Sequence, residues 1–183
     1  MKVISLLPRQ EVPSLDIPLV AGKRFVLGAA PAEHFTMLLF YRGLHCPICA
    51  KYLAEFEALS SDFASRGVEI IAISTDTEER GIKMVEKTNA SGVKVAYGLS
   101  LQEARHWGLY ISESLGTNPK IGVEEPKFFS EPALYLIKRD GTLYYAAVQT
   151  MPFARPSAPD LLAAIDYAIK NDYPARGEYL GSV

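Results

Sequence analysis

The sequence lacks the long apolar segments that cross membranes, since no apolar run approaches eighteen residues. A secretion signal is not apparent either. Residues 1–14 contain Pro8, Arg9, Glu11 and Pro13 where a signal peptide requires an uninterrupted apolar core. We therefore expect a cytoplasmic protein without a membrane partner.

An excess of charge of one sign is also lacking. The chain has 19 Lys and Arg against 21 Asp and Glu, and no block of five like charges. Nucleic acid is not an expected partner, because proteins that bind it concentrate basic residues on one surface. With 183 residues, of which 49% are hydrophobic, the chain is long enough for one packed core. We expect a single domain over residues 1–183, with a lead-in at 1–34 and a tail at 171–183.

Cysteine is scarce, and the two cysteines, Cys46 and Cys49, form one CxxC pair. Two alternatives to redox chemistry stay open at this point. The pair could be half of a zinc site, although no second CxxC follows and His34, His45 and His106 lack paired ligand spacing. It could also be two inert buried thiols, because free cysteine packs as a small hydrophobe. We expect no metal and no cofactor.

The residues around the CxxC favour a redox site. An apolar run at 35–41 is followed by a short loop, the cysteines and an amphipathic stretch that reaches Ser65. This order predicts strand, loop and helix, with Cys46 at the helix start. Unpaired backbone N–H groups there stabilise a thiolate. Cys46 is therefore the candidate nucleophile, and Cys49, one helical turn further, is the candidate resolving thiol.

The same placement predicts how the two thiols differ in acidity. We expect a Cys46 pKa below the free value of about 8.5, because of the helix start, the adjacent His45 and the nearby Arg42. Cys49 should have the higher pKa and be less reactive.

The remaining pattern predicts alternating strands and helices. The run at 35–41 is apolar without alternation, which indicates a strand buried on both faces at the centre of a sheet. Asp76 and Glu79 have the spacing of a helix cap, and Asp140-Gly141 is typical of a hairpin turn. Residues 110–130 form a long irregular stretch, which is a lid, a partner surface or an insertion. Further strands are predicted at 15–20, 24–27, 68–74, 93–97, 133–138 and 142–148, and helices at 76–89, 101–109 and 157–170.

A βαβ unit with a CxxC at its first helix, followed by a proline-led hairpin and a last helix, resembles the thioredoxin fold. The added elements between Thr77 and Leu109, and the run Ile73-Ser-Thr-Asp76, resemble the peroxiredoxin (AhpC/TSA) branch. Phe40-Tyr-Arg-Gly43 before Cys46-Pro-Ile-Cys49 is similar to AhpC/TSA proteins with an FYRGxxCPxC motif. The resemblance implies an α/β, thioredoxin-like fold with a central mixed β-sheet flanked by helices and a peroxiredoxin-type insertion.

By this resemblance Cys46 is the peroxidatic cysteine, Cys49 is its partner, and Pro132 is the cis-proline that faces the active-site sulfur. Two departures stand out. Typical peroxiredoxins carry threonine where this chain has Gly43, and arginine just before the last hairpin, where this chain has Ser130-Glu131. Arg42 is a candidate substitute for the missing charge, although a plain surface role is an open alternative.

The resulting hypothesis is a thiol peroxidase. The Cys46 thiolate attacks a hydroperoxide, Cys49 condenses with the sulfenic acid, and a dithiol donor of thioredoxin type reduces the disulfide. One alternative is a protein disulfide reductase that uses the same cysteines. Another is a redox-sensing or binding module without catalysis, with residues 110–130 as its partner surface. A homodimer is compatible with the sequence.

Overall fold

The computed structural model describes residues 5–117 and 122–182, so the parts of the predicted lead-in, irregular stretch and tail that fall on 1–4, 118–121 and 183 lie outside it. Its centre is a five-stranded sheet of order β5-β4-β3-β8-β9. The elements are β1 (Asp16–Pro18), β2 (Arg24–Val26), β3 (Phe35–Phe40), α1 (Pro47–Ala58), α2 (Ser60–Ala64), β4 (Val68–Ile73), α3 (Glu78–Thr88), β5 (Lys94–Ala96), α4 (Leu101–His106), β6 (Ile111–Glu113), β7 (Phe128–Ser130), β8 (Ala133–Lys138), β9 (Leu143–Val148) and α5 (Ala158–Lys170).

Strand β3 is the central strand, and all six of its residues are buried. It runs parallel to β4 and antiparallel to β8, so the prediction of a central strand in a mixed sheet is confirmed. Met37 and Leu39 enter the core on one face of the sheet, and Leu38 and Phe40 the core on the other, as the alternation of side chains along a strand requires. The segment that leads to the CxxC is therefore fixed by packing on both faces of the sheet.

The direction of the strands decides which loops meet. Strand β9 is antiparallel to β8, which is antiparallel to β3, so β9 runs in the same direction as β3. The loops that follow β3, β4 and β9 therefore all leave the same edge of the sheet. Cys46 follows the first of these strands, Asp76 the second and Arg155 the third.

The prediction of one continuous helix from Pro47 to Ser65 is wrong, because two helices form in this segment. The chain leaves helical geometry at Leu59, with φ −107° and ψ 9°, and α2 starts at the next residue. Two serines follow this position, and serine weakens helices because its side chain competes for backbone hydrogen bonds. The break still places Phe63 in the core, where its ring stacks on Phe56 at a centroid distance of 5.6 Å.

The predicted cap of α3 by Asp76 is also wrong. The helix begins after Thr77, whose side chain makes no capping bond. The Asp76 carboxylate instead accepts a hydrogen bond from the backbone N–H of Leu44, at 2.7 Å, and pairs with Arg80, at 3.3 Å. The Asp76 carboxylate thus bonds the Leu44 N–H from the loop after β3 rather than an N–H in the first turn of α3. Asp76 therefore connects two loops at the same sheet edge.

Residues 110–130 are more regular than expected, because β6 and β7 pair antiparallel within them. The other short elements follow the sequence patterns. Strands β1 and β2 form the predicted hairpin, and Ser157 caps α5 by accepting from the Asp160 N–H. None of the helices in the described part of the chain is long and apolar enough to cross a membrane.

Candidate active site

Cys46 occupies the N-cap position of α1, with extended backbone angles and Pro47 at the first turn. Its Sγ accepts a hydrogen bond from the backbone N–H of Cys49, at 3.3 Å. The sequence folds this way because proline is favoured in the first turn of a helix, where it has no N–H to lose. The predicted location of Cys46 at the helix start is confirmed.

The Cys49 thiol gives Cys46 a second hydrogen-bond donor. The Cys49 Sγ donates to the Cys46 Sγ, with 2.6 Å between the two sulfur atoms. Both cysteines are free, and their exposed fractions are only 3% and 0%. Cys46 is thus the acceptor of the pair and Cys49 holds the proton.

These contacts separate the acidities of the two thiols in the expected direction. The hydrogen bond from the Cys49 thiol, opposed by burial and helped by the Cys49 backbone N–H and the charges of Arg155 and Arg42, lowers the pKa of Cys46 to about 6. Burial and the adjacent Cys46 raise the pKa of Cys49 well above its usual value. Cys46 is therefore a thiolate at neutral pH while Cys49 is still protonated.

His45 does not supply the positive charge expected from it. The residue is 3% exposed, and burial together with the Arg42 charge lowers its pKa to about 4. Its ring packs against Phe129 with centroids 4.7 Å apart, and neither ring nitrogen has a hydrogen-bond partner in the described part of the chain. His45 is neutral at neutral pH, so it packs beside the site and contributes no positive charge to it.

Arg155, which the sequence patterns did not single out, contacts the second sulfur. Its Nη2 donates to the Cys49 Sγ at 3.1 Å, and its Nε donates to the Pro152 carbonyl at 2.9 Å. The guanidinium carbon lies 4.9 Å from the centre of the Tyr52 ring, and the Tyr52 hydroxyl donates to the Pro156 carbonyl at 2.6 Å. The loop between β9 and α5 therefore fixes a cation against the CxxC.

Arg42 forms ion pairs with two carboxylates. Its side chain lies 3.5 Å from both Glu125 and Glu131, and its guanidinium carbon is 4.6 Å from the centre of the Phe129 ring. Glu131 is 5% exposed and accepts a hydrogen bond from the Ser112 hydroxyl at 2.5 Å. Arg42 is thus part of an ion-pair cluster, which reduces the charge that it can offer to Cys46 or to a peroxide.

The family model of the AhpC/TSA family matches residues 8–146, which is more than half of the chain. The chain belongs to the AhpC/TSA family. No curated protein sequence is significantly similar to it.

Solved structures of this family share the fold at low sequence identity. A peroxiredoxin-like protein from Aquifex aeolicus is 15% identical, with a TM-score of 0.70 over 90% of this chain and 88% of the other. Peroxidoxin BcpB from Mycobacterium tuberculosis is 18% identical, with a TM-score of 0.68 over 92% and 98%. A cysteine-to-serine mutant of peroxiredoxin 6 from Arenicola marina is 15% identical, with a TM-score of 0.71 over 92% and 76%. The predicted fold class is confirmed.

The expected cis bond before Pro132 is wrong, because every peptide bond among the described residues is trans. Two residues connect Ser130, the end of β7, to Ala133, the start of β8, and the Glu131 N–H donates to the Tyr110 carbonyl at 2.8 Å. This connection continues the path of β7, and the residue before a proline favours extended backbone. Pro132 itself is buried, and the next residue pairs with the last residue of β3.

Gly43, where typical AhpC/TSA peroxiredoxins carry threonine, has no room for a side chain. Its φ is +140°, and a Cβ there would lie 2.7 Å from the Asp76 Oδ2. The same carboxylate holds the next residue, Leu44, through its N–H. Glycine is therefore required by the loop that leads to Cys46, and the departure from threonine has a structural reason.

We predict that the Cys46 thiolate forms as the pH rises through about 6. Replacing Cys49 by alanine should raise this pKa, because the thiol donor is lost while the backbone N–H at that position is kept. Ultraviolet absorbance of the thiolate against pH measures both values. An equal or lower pKa in Cys49→Ala would contradict the proposed stabilisation by the Cys49 thiol.

We also predict that Gly43→Ala lowers the free energy of unfolding by about 1–3 kcal/mol, the usual cost of a backbone conformation reserved for glycine. Contact with Asp76 should add to this cost and slow oxidation of Cys46. Gly28→Ala is the matched control, since Gly28 also has a positive φ but nothing lies within 4 Å of its Cβ position. Denaturant unfolding measures both variants, and equal losses would rule out a specific contribution from Asp76.

Proposed function

We propose that this AhpC/TSA family protein is a thiol peroxidase that uses Cys46 as the peroxidatic cysteine and Cys49 as the resolving cysteine. The observation that carries the proposal is the Cys46 Sγ at the start of α1, which accepts hydrogen bonds from both the thiol and the backbone N–H of Cys49. This arrangement favours a thiolate, the reactive form of cysteine.

In the first step the Cys46 thiolate attacks one oxygen of the hydroperoxide. An S–O bond forms, the O–O bond breaks, and the leaving alkoxide or hydroxide takes the proton of the Cys49 thiol. In the second step the Cys49 thiolate attacks the Cys46 sulfenic acid and expels hydroxide, which forms the disulfide. Two electrons pass from the two sulfurs to the peroxide, and an external dithiol of thioredoxin type restores both thiols.

Burial of the sulfurs favours a small hydroperoxide as the substrate. At 3% and 0% exposure, neither sulfur can meet a second protein surface without movement of the surrounding loops. A reduced Prx3 from Vibrio vulnificus, 15% identical over 87% of this chain and 99% of that one, with a TM-score of 0.68, has been solved in complex with hydrogen peroxide. This relative supports hydrogen peroxide as the first substrate to test.

A second candidate function is protein disulfide reduction through the same cysteines. It is favoured by the absence of threonine at Gly43 and by the ion pairs that occupy Arg42. The first feature removes a group that binds and polarises the peroxide in a typical peroxiredoxin, and the second occupies Arg42, the candidate substitute for the arginine missing at Ser130-Glu131. The two functions differ in the oxidant that reacts faster with the reduced protein.

We predict that hydrogen peroxide oxidises the reduced protein faster than an oxidised protein disulfide does. The reason is access, since the small molecule reaches Cys46 without separation of the loops. Stopped-flow mixing of the reduced protein with hydrogen peroxide, an organic hydroperoxide and oxidised thioredoxin gives the three rates. Preference for the protein disulfide would support the reductase function, and no reaction with any of them would leave the non-catalytic module.

We further predict different failures in the two single variants. Cys46→Ser should lose all reaction with peroxide, because a hydroxyl without an adjacent general base is a poor nucleophile. Cys49→Ser should react once and keep a sulfenic acid on Cys46, which dimedone traps for mass spectrometry. Equal residual turnover in both variants would show that neither cysteine carries catalysis.

A further inference from the structure

Arg155 is the cation in direct contact with the resolving sulfur, with its Nη2 3.1 Å from the Cys49 Sγ. Unlike Arg42, it has no carboxylate within ion-pair distance in the described part of the chain. Its buried Nη1 also has no hydrogen-bond partner among those residues. No acidic side chain among the described residues therefore neutralises the charge of Arg155.

The position of this charge is fixed before the reaction begins. The Nε is hydrogen-bonded to the Pro152 carbonyl, and the guanidinium lies over the Tyr52 ring. The Tyr52 ring is in turn held by its hydroxyl, which donates to the Pro156 carbonyl. A group held in this way loses little side-chain freedom when it pairs with an anion, so it is suited to stabilise one.

Oxidation of Cys46 changes what Cys49 requires. In the reduced protein, the Cys49 thiol donates to the Cys46 sulfur, and the proximity of that sulfur opposes ionisation of Cys49. Once Cys46 is a sulfenic acid, its negative charge is gone. The burial of Cys49 still opposes ionisation, and the Arg155 contact is then the main favourable interaction for a Cys49 thiolate.

We propose that Arg155 is the catalytic residue of the resolving step, where it stabilises Cys49 as the thiolate that attacks the Cys46 sulfenic acid. The S–S bond forms, the S–O bond breaks and hydroxide leaves. The same contact acts in the reverse direction during reduction. When an external thiolate attacks Cys46, the S–S bond breaks and Cys49 leaves as a thiolate beside Arg155. This inference rests on the proposed peroxidase function for the first step but not for the second.

The first test follows the lifetime of the sulfenic acid. Arg155→Met keeps an apolar stem over Tyr52 but removes the charge, and the lifetime of dimedone-trappable Cys46 after a pulse of hydrogen peroxide should rise about 10- to 100-fold, the range expected for loss of one hydrogen bond to a charged group. Arg155→Lys should recover part of the rate. Arg176→Met, which removes an exposed arginine of the tail, is the control and should behave as the unaltered protein.

The pH dependence separates this role from a structural one. In Arg155→Met, resolution should recover as the pH rises, because Cys49 then ionises without help from the arginine. A loop that had merely lost its shape would stay slow at every pH. An unchanged sulfenic acid lifetime in Arg155→Met, or a slow rate that does not respond to pH, would overturn the assignment.

The second test does not depend on peroxide. The disulfide is formed with oxidised glutathione, and its reduction by dithiothreitol is followed in the same variants. Reduction should be about 10- to 100-fold slower in Arg155→Met, since a thiol with a higher pKa is a poorer leaving group. If peroxide fails to oxidise Cys46 in the unaltered protein, the peroxidase proposal fails, and this rate still decides the role of Arg155. Equal reduction rates would overturn that role.

Discussion

The site depends on the two hydrogen bonds that Cys49 donates to the Cys46 sulfur. A thiolate that is only 3% exposed has lost most of its contact with water, and a buried charge is costly unless it is hydrogen-bonded or paired. One donor is the Cys49 N–H in the first turn of α1, which is shared between the Cys46 Sγ at 3.3 Å and the Cys46 carbonyl at 3.0 Å, and the other is the Cys49 thiol. In the proposed peroxidase cycle, Cys49 therefore has two roles: it stabilises the Cys46 thiolate, and it then attacks the oxidised Cys46.

The two arginines near the cysteines are in different electrostatic environments. Arg42 lies beside Glu125 and Glu131, so its charge is largely compensated inside the protein. Arg155 faces the Cys49 sulfur and an aromatic ring. Positive charge at this site is therefore directed towards the second cysteine more than towards an incoming oxidant. In the proposed cycle, the uncompensated cation therefore serves the resolving step, in which Cys49 reacts, more than the attack on the peroxide.

The sequence predicted the parts of the fold that depend on neighbouring residues. Strand β3 and the cap position of Cys46 follow from apolar patterning and from a proline beside a helix start, and both are confirmed. The prediction that Asp76 caps α3 was wrong, because the Asp76 carboxylate bonds the Leu44 N–H, 32 positions away along the chain. Arg155 lies 106 positions from Cys49, and no local pattern marks it. Only the sheet topology could have indicated that Arg155 lies near the cysteines, because the strand order brings the loop after β9 to the sheet edge where Cys46 lies.

Burial of the sulfurs links the chemistry to the choice of partner. A hydroperoxide needs only to reach Cys46, and Cys49 is already in contact with the sulfur that it must attack, so oxidation and resolution need little rearrangement. A protein reductant has a larger requirement, because its own thiolate must approach Cys46 in line with the bond to Cys49. The loop that carries Arg155 packs over Tyr52 on α1, and opening it to admit a protein would also withdraw the guanidinium from Cys49. A protein reductant that displaced this loop would lose the stabilisation of the Cys49 thiolate by Arg155. We therefore expect a protein reductant to approach Cys46 from the side of the site away from this loop.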